Sequence, residues 1–245
     1  MDFISPAVIK KIAAKYGFVF KKGLGQNFLT SQSVLEDIAD AAEIEDCGVL
    51  EVGPGFGVLT NELAKRAEKV VALEIDERLI PVLDDTLSEY DNVKIINRDV
   101  MKTNLNELIE EEFKGMDISV AANLPYYITT PVITTLIESK IPFKNLVVMV
   151  QKEVALRIAA KPGSKDYGAI SVMCQFYTEP EVIQTVPAAL FMPPPKVDSA
   201  VLKMKMRQEP AVEVKSEKAF FRTVKAAFSQ RRKTLLNCIA SDVGM

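Results

Sequence analysis

Asn123-Leu124-Pro125-Tyr126 is the segment of this 245-residue chain whose residue types point most directly at chemistry. A side-chain amide carries an acceptor oxygen. A main-chain carbonyl at Leu124 or Pro125 supplies a second acceptor, and the ring behind the rigid proline supplies a flat face. Two acceptors holding the hydrogens of an aromatic amine draw its nitrogen toward tetrahedral geometry and aim its lone pair. That set suits attachment of a methyl group to the exocyclic amine of a nucleobase. No strong base is needed, because the positive charge that develops on nitrogen makes its proton acidic. Tyr126 is expected to stack on the base, with Phe191 as the opposite wall. The bland alternative for Phe191 is a core aromatic that anchors an edge hairpin. Tyr127 is expected at the rim. A target base in structured RNA must be swung out of its stack to reach such a pocket.

Upstream lies Gly53-Pro54-Gly55-Phe56-Gly57, directly after an apolar run. Glycines there let the backbone approach a ligand at the carboxyl end of a strand. The spacing is GxGxG rather than GxGxxG, and Pro54 deletes an amide N–H that a pyrophosphate could use. A ligand without phosphates, such as S-adenosylmethionine, fits better. Glu74 stands about 20 residues beyond the first glycine, where an acceptor for ribose hydroxyls belongs. Asp99, after the next strand, can accept from an adenine amine. Alone, the glycine segment could be a plain tight turn; acids at two successive strand ends argue for a cofactor site.

Composition narrows the choices. The chain is 48% hydrophobic and 26% charged, with mean hydropathy +0.11, which describes a globular protein with a sizeable core. It has no histidine, and its cysteines, Cys47, Cys174 and Cys238, are far apart. Zinc sites, serine–histidine triads and histidine general bases are excluded within this chain, no metal is expected, and a reducing cytoplasmic compartment is the simplest setting. No apolar run reaches membrane-spanning length, so no membrane association is expected. The net charge is −3. Even so, Lys21 and Lys22 near one end, and Arg222, Arg231, Arg232 and Lys233 near the other, form local basic clusters that suit a phosphate-rich partner.

The elements that must position these residues alternate. Helices are predicted over residues 6–16 and 33–42. Strands are predicted over 49–52, 70–74, 93–97, 118–122 and 146–151, with helices over 59–66, 77–87, 106–113, 131–139 and 153–160. The pattern predicts an α/β fold with a parallel sheet. Strands 182–186 and 200–206, with prolines and no helix between them, should pair antiparallel at its edge. Residues 217–240 read as helical, which gives two domains, 1–208 and a small helical, RNA-contacting 209–245.

Gly25-Gln26-Asn27-Phe28-Leu29, Glu51–Gly57, Glu74, Arg98-Asp99, Asn123–Tyr126 and Phe191–Asp198 together resemble the rRNA adenine N6-dimethyltransferases. The similarity runs from about Lys21 to Asn237. Gly-Gln-Asn-Phe-Leu and Asn-Leu-Pro-Tyr-Tyr resemble the bacterial small-subunit (16S) branch more than the macrolide-resistance branch that acts on large-subunit rRNA. The resemblance implies a Rossmann-like methyltransferase sheet and S-adenosylmethionine as donor. It implies two adjacent adenosines near the 3′ end of small-subunit rRNA as substrate, each becoming N6,N6-dimethyladenosine. It further implies that Asn27 and Leu29 close over the methionine end of the cofactor, that Gln26 is also cofactor-binding, and that Gly53 and Gly55 line it. Glu74 would bind the ribose hydroxyls and Asp99 the adenine, with Ile75 and Val100 also cofactor-binding. Asn123, Leu124, Pro125 and Tyr126 would present the target base. The partner would be an immature 30S particle, met by a monomer. Family members usually continue with further C-terminal helices, so the small domain is expected to be incomplete. The alternatives are the same chemistry on large-subunit rRNA, a non-catalytic assembly factor or checkpoint, and a nicotinamide dehydrogenase. Pro54, Val58 and the missing histidine argue against the last.

Overall fold

A computed structural model describes residues 5–18, 27–230 and 233–243. Lys21, Lys22, Gln26, Arg231 and Arg232 lie outside the described residues. The chain opens with α1 (Pro6–Lys15), which has a proline in its first turn where no N–H is missed. Then come β1 (Phe28–Leu29), α2 (Gln32–Ala42), β2 (Gly48–Val52), α3 (Val58–Ala64) and β3 (Lys69–Glu74). They are followed by α4 (Ile80–Thr86), β4 (Val93–Asn97), α5 (Leu105–Glu112), β5 (Ile118–Asn123), α6 (Thr129–Glu138) and β6 (Asn145–Gln151). The rest comprises α7 (Lys152–Ile158), α8 (Ala169–Tyr177), β7 (Thr178–Val186), β8 (Phe191–Met192), β9 (Ser199–Met206), α9 (Glu217–Ala227) and α10 (Leu235–Val243).

The main sheet has seven strands in the order β4-β3-β2-β5-β6-β9-β7. The first five are parallel, while β9 runs antiparallel to both β6 and β7. Alternate residues of one strand feed two separate cores. Val49, Ala121 and Val147 face a cluster with α1 to α4, whereas Leu50, Val120 and Val148 face one built with α5 to α7. Strands buried on both faces are mostly apolar, which is why they read as short, nearly continuous apolar runs.

The sequence reading missed three features. The sequence pattern does not mark α8, because Ala-Ile-Ser-Val-Met-Cys-Gln-Phe-Tyr is apolar on most sides and shows no clear helical stripe. The helix is covered on several sides, with α7, β7 and α9 among its neighbours. It started the edge strand at Val182, because Pro180 breaks the pattern. The strand instead begins at Thr178 with Pro180 opposite Met204, which an edge strand tolerates. Residues 217–240, which read as helical with no break placed, form two separate helices, α9 and α10. Ser216 Oγ caps α9 by accepting from Ala219 N–H. Rings of Phe220 and Phe221 pack on Phe176 and Tyr177 of α8, with centroids 5.1–5.8 Å apart. Tyr177 also donates to Glu217 at 3.0 Å. As expected, no α-helix separates β7 from β9.

One carboxyl sits inside this fold at a cost. Glu51, within β2, is 1% exposed, and its Oε2 has no hydrogen-bond partner. Burial pushes its carboxyl up to about 8, and the Glu74 carboxylate adds to the rise. The Thr60 hydroxyl pulls the other way without reaching hydrogen-bond geometry. A raised acid holds a proton in the folded state that the unfolded chain releases from about 4.5 upward, so its contribution to stability declines through that window and levels off above about 8. Glu51→Gln should therefore gain stability relative to the parent as pH rises from about 4.5 to about 8. Urea midpoints of both proteins across that range test this, and a pH-independent difference would disprove it.

Candidate active site

The chain reverses its direction of travel across the sheet between β2 and β5. From β2 it moves outward to β3 and β4, then returns to lay β5 on the other flank of β2. The carboxyl ends of these two strands therefore face a crevice between connections that run in opposite directions. The Gly53–Gly57 turn and Asn123 open onto this crevice, which holds a cavity of about 270 Å³.

The glycine turn needs its glycines. Gly53, Gly55 and Gly57 have φ of 72°, 60° and 81°. A Cβ on Gly55 would stand 2.8 Å from the Phe28 ring. Gly55 N–H donates to Glu74 Oε2 at 3.2 Å, and Asp76 N–H donates to Glu74 Oε1 at 2.8 Å. Glu74 is 5% exposed, and burial raises its pKa against the pull of these donors. Each oxygen keeps a further lone pair for a ligand. Ile75 follows it at the rim, more than half exposed. Asp99 Oδ1 accepts from Met101 N–H at 2.9 Å and so turns the chain into Val100, which is buried at the cavity wall.

Across the crevice, Asn123 closes β5. Its Nδ2 donates to the Asn27 carbonyl at 3.2 Å, which leaves Oδ1 as the uncommitted acceptor. Asn27 is placed by β1, which pairs antiparallel with β8 in the register Leu29 to Phe191. Leu29 also lines the cavity. Of the two carbonyls considered from sequence, that of Pro125 accepts from Ile128 N–H at 3.1 Å and from Thr129 Oγ1 at 3.2 Å. The Leu124 carbonyl is the better second acceptor, and its residue is anchored by a 3.1 Å bond from its N–H to Met149 O. Tyr126 is half-buried beside it, with its hydroxyl 2.7 Å from Ser199 Oγ. Burial, with a smaller contribution from Asp198, raises the Tyr126 pKa against that bond, so the phenol stays neutral. Tyr127 lies at the rim and is 55% exposed.

Phe191 departs from the expected placement. It is 4% exposed, packs in the core and does not line the cavity. Its place in β8 against Leu29 fits the hairpin anchor rather than a base-stacking wall, since pairing with β1 turns the ring inward. Two site features escaped the sequence reading. Glu51 lines the cavity together with Glu74, Asp76 and Asp99. Its signal was present, an acid inside an otherwise apolar strand. The Asn27–Asn123 bond had no such signal, because its partners lie 96 positions apart. Arg222 and Lys233 are exposed and make no ion pair among the described residues. No group of three or more potential metal ligands occurs among the described residues, and none of their helices is long and apolar enough to cross a membrane.

The sequence and the fold are both similar to those of known proteins. Residues 17–245 match the sequence profile of the ribosomal RNA adenine dimethylase family. The chain is 54% identical to the ribosomal RNA small subunit methyltransferase A of Bacillus cytotoxicus, over 99% of this chain and 84% of that one. The protein of that description from Geobacillus thermodenitrificans is also 54% identical, with 99% and 83% covered. Among solved structures, the 23S rRNA methyltransferase ErmE superposes with a TM-score of 0.72 at 30% identity, covering 88% of this chain and 84% of that one. A dimethyladenosine transferase from Plasmodium falciparum superposes with a TM-score of 0.70 at 31% identity, covering 86% and 74%. With a profile match over nearly its whole length and more than half its residues shared with such relatives, the chain belongs to the ribosomal RNA adenine dimethylase family.

Proposed function

We propose that this protein transfers methyl groups from S-adenosylmethionine to N6 of two adjacent adenosines in a hairpin near the 3′ end of small-subunit rRNA, giving N6,N6-dimethyladenosine. The observation that carries the reading is the juxtaposition of Asn123–Tyr126 with an acid-lined cavity across the β2–β5 crevice. The curated relatives at 53–54% identity are described as small-subunit methyltransferases, whereas the 23S rRNA enzyme is 30% identical. That difference favours the small-subunit substrate.

The residues present fit the cofactor. Glu74, Asp76 and Asp99, beside a Glu51 that keeps its proton up to about pH 8, line the cavity against the single cation Arg98 among its described lining residues. That balance suits a sulfonium ligand carrying an ammonium group and repels a polyphosphate. When bound, S-adenosylmethionine supplies a methyl group activated by its positively charged sulfur. Glu74 accepts from the ribose hydroxyls, with Ile75 beside it. Asp99 accepts from the adenine amine, next to Val100. Gly53 and Gly55 bring the backbone close to the ligand, and Asn27 and Leu29 wall off the other end.

The reaction then depends on how the chain holds the acceptor. Asn123 Oδ1 and the Leu124 carbonyl accept the two N–H bonds of the target amine and direct its lone pair at the methyl group. Pro125 limits the motion of this acceptor pair, and Tyr126 stacks on the base. The amine proton leaves to solvent once charge has formed on nitrogen, so no histidine is required. Residues beyond about 208 serve as a small RNA-contacting unit, where Arg222 and Lys233 meet rRNA phosphates. We read the protein as a cytoplasmic monomer that acts on an immature 30S particle.

Methyl incorporation from labelled S-adenosylmethionine into unmethylated small-subunit particles, with large-subunit rRNA in parallel, tests the assignment. Dimethyladenosine in the small-subunit RNA alone is expected, and signal confined to large-subunit RNA would overturn the substrate. Asn123→Ala should abolish transfer while calorimetric cofactor affinity changes little; transfer at the parental rate would remove the acceptor role. Glu74→Ala should weaken cofactor binding by about 1–3 kcal/mol through loss of a buried charged acceptor, and unchanged affinity by calorimetry would place Glu74 outside the site.

A further inference from the structure

We propose that Ser199 is a positioning residue for methyl transfer: its hydroxyl holds the Tyr126 phenol and sets the plane of the ring on which the target base stacks. The proposal rests on the reading of Tyr126 as the stacking platform. Tyr126 lies in the loop after β5, and its ring can rotate unless something fixes its far end. The fixing atom is Ser199 Oγ, 2.7 Å from the phenol oxygen.

Ser199 is well built for this. It opens β9 and is fully buried. Its backbone is clamped from both sides, against Gln151 at the end of β6 and against Val186 at the end of β7. Its hydroxyl makes no other hydrogen bond among the described residues. The residue before it, Asp198, accepts from Lys152 N–H at 3.0 Å through its carbonyl and from Ala188 N–H at 3.0 Å through its carboxylate. A rigid sheet position thus reaches across 73 residues to the one end of Tyr126 that its own loop does not hold. A phenylalanine would offer the base a similar face, so the tyrosine hydroxyl acts in the tether.

The tether affects transfer chiefly through kcat. A ring free to rock still provides surface for the base, so the RNA binds about as well. The base is then seldom aligned with the acceptors and the methyl group, and misplacement on this scale costs rate steeply. The test measures steady-state transfer to unmethylated small-subunit particles, together with melting temperatures, for Ser199→Ala, Tyr126→Phe, their double variant and Tyr126→Ala. Ser199→Ala and Tyr126→Phe should each lower kcat roughly tenfold with KM little changed. The double variant should be no slower than either single one, because both remove the same bond. Parental kcat in either single variant would overturn the tether. So would additive losses in the double variant, or a loss in Ser199→Ala that tracks a fall in melting temperature and is absent from Tyr126→Phe. Tyr126→Ala separates the two levels of the argument. If Tyr126→Ala reacts at the parental rate, the stacking platform itself is wrong and the tether falls with it. A slow Tyr126→Ala beside normal Ser199→Ala and Tyr126→Phe overturns the tether alone.

Discussion

The parallel pairing of β2 with β5 is the constraint on which the site depends. Their register sets Glu51 opposite Ala121 and so brings the ends of both strands to the same edge of the sheet. The chain leaves β2 toward β3 and leaves β5 toward β6, in opposite directions. Connections that part in this way cannot cover the gap between them, and a ligand can enter there. A glycine turn at the end of one strand and an amide at the end of the other then confront each other without any special loop.

The crevice is kept open and shaped by polar groups that are already committed on one side. Glu74 receives the N–H groups of Gly55 and Asp76, so one carboxylate fastens the glycine turn and remains an acceptor. Asn123 gives one amide hydrogen to the Asn27 carbonyl and keeps its oxygen. Tyr126 binds Ser199 and keeps its ring face. In each case a fold-stabilising bond consumes one end of the side chain and orients the other, which is preorganisation without mobile parts. The acids that line the cavity cost folding energy, most clearly at Glu51, whose buried carboxyl is raised to about 8. A cationic ligand is attracted instead to the other acids of the cavity wall, while Glu51 stays protonated at neutral pH.

The edge of the sheet serves the site as well. Because β9 enters antiparallel between β6 and β7, its first residue, Ser199, lies beside the carboxyl end of β6, on the side of the sheet where the cavity opens. The same connection carries β8, whose pairing with β1 draws Asn27 to the cavity and buries Phe191. One hairpin therefore accounts both for a site contact that sequence reasoning missed and for the wall that it misplaced.

The sequence alone determined the alternating architecture, the strands that carry Glu74 and Asn123, and the chemistry open to an amide beside a Pro-Tyr pair. These features are local, since strands buried on both faces are short apolar runs and the functional residues follow directly after them. Pro180 in an edge strand and the largely apolar α8 misled the same reasoning, because their tolerance depends on neighbours that local pattern does not contain. Only the tertiary structure decided which acceptors of the Asn-Leu-Pro-Tyr segment remain uncommitted and that Phe191 turns into the core. It alone decided that Glu51 joins the cavity wall, and that Asn27 and Ser199 bond to Asn123 and Tyr126. Those outcomes rest on hydrogen bonds and strand pairings between positions up to about 160 residues apart, whose geometry exists only once the sheet is assembled.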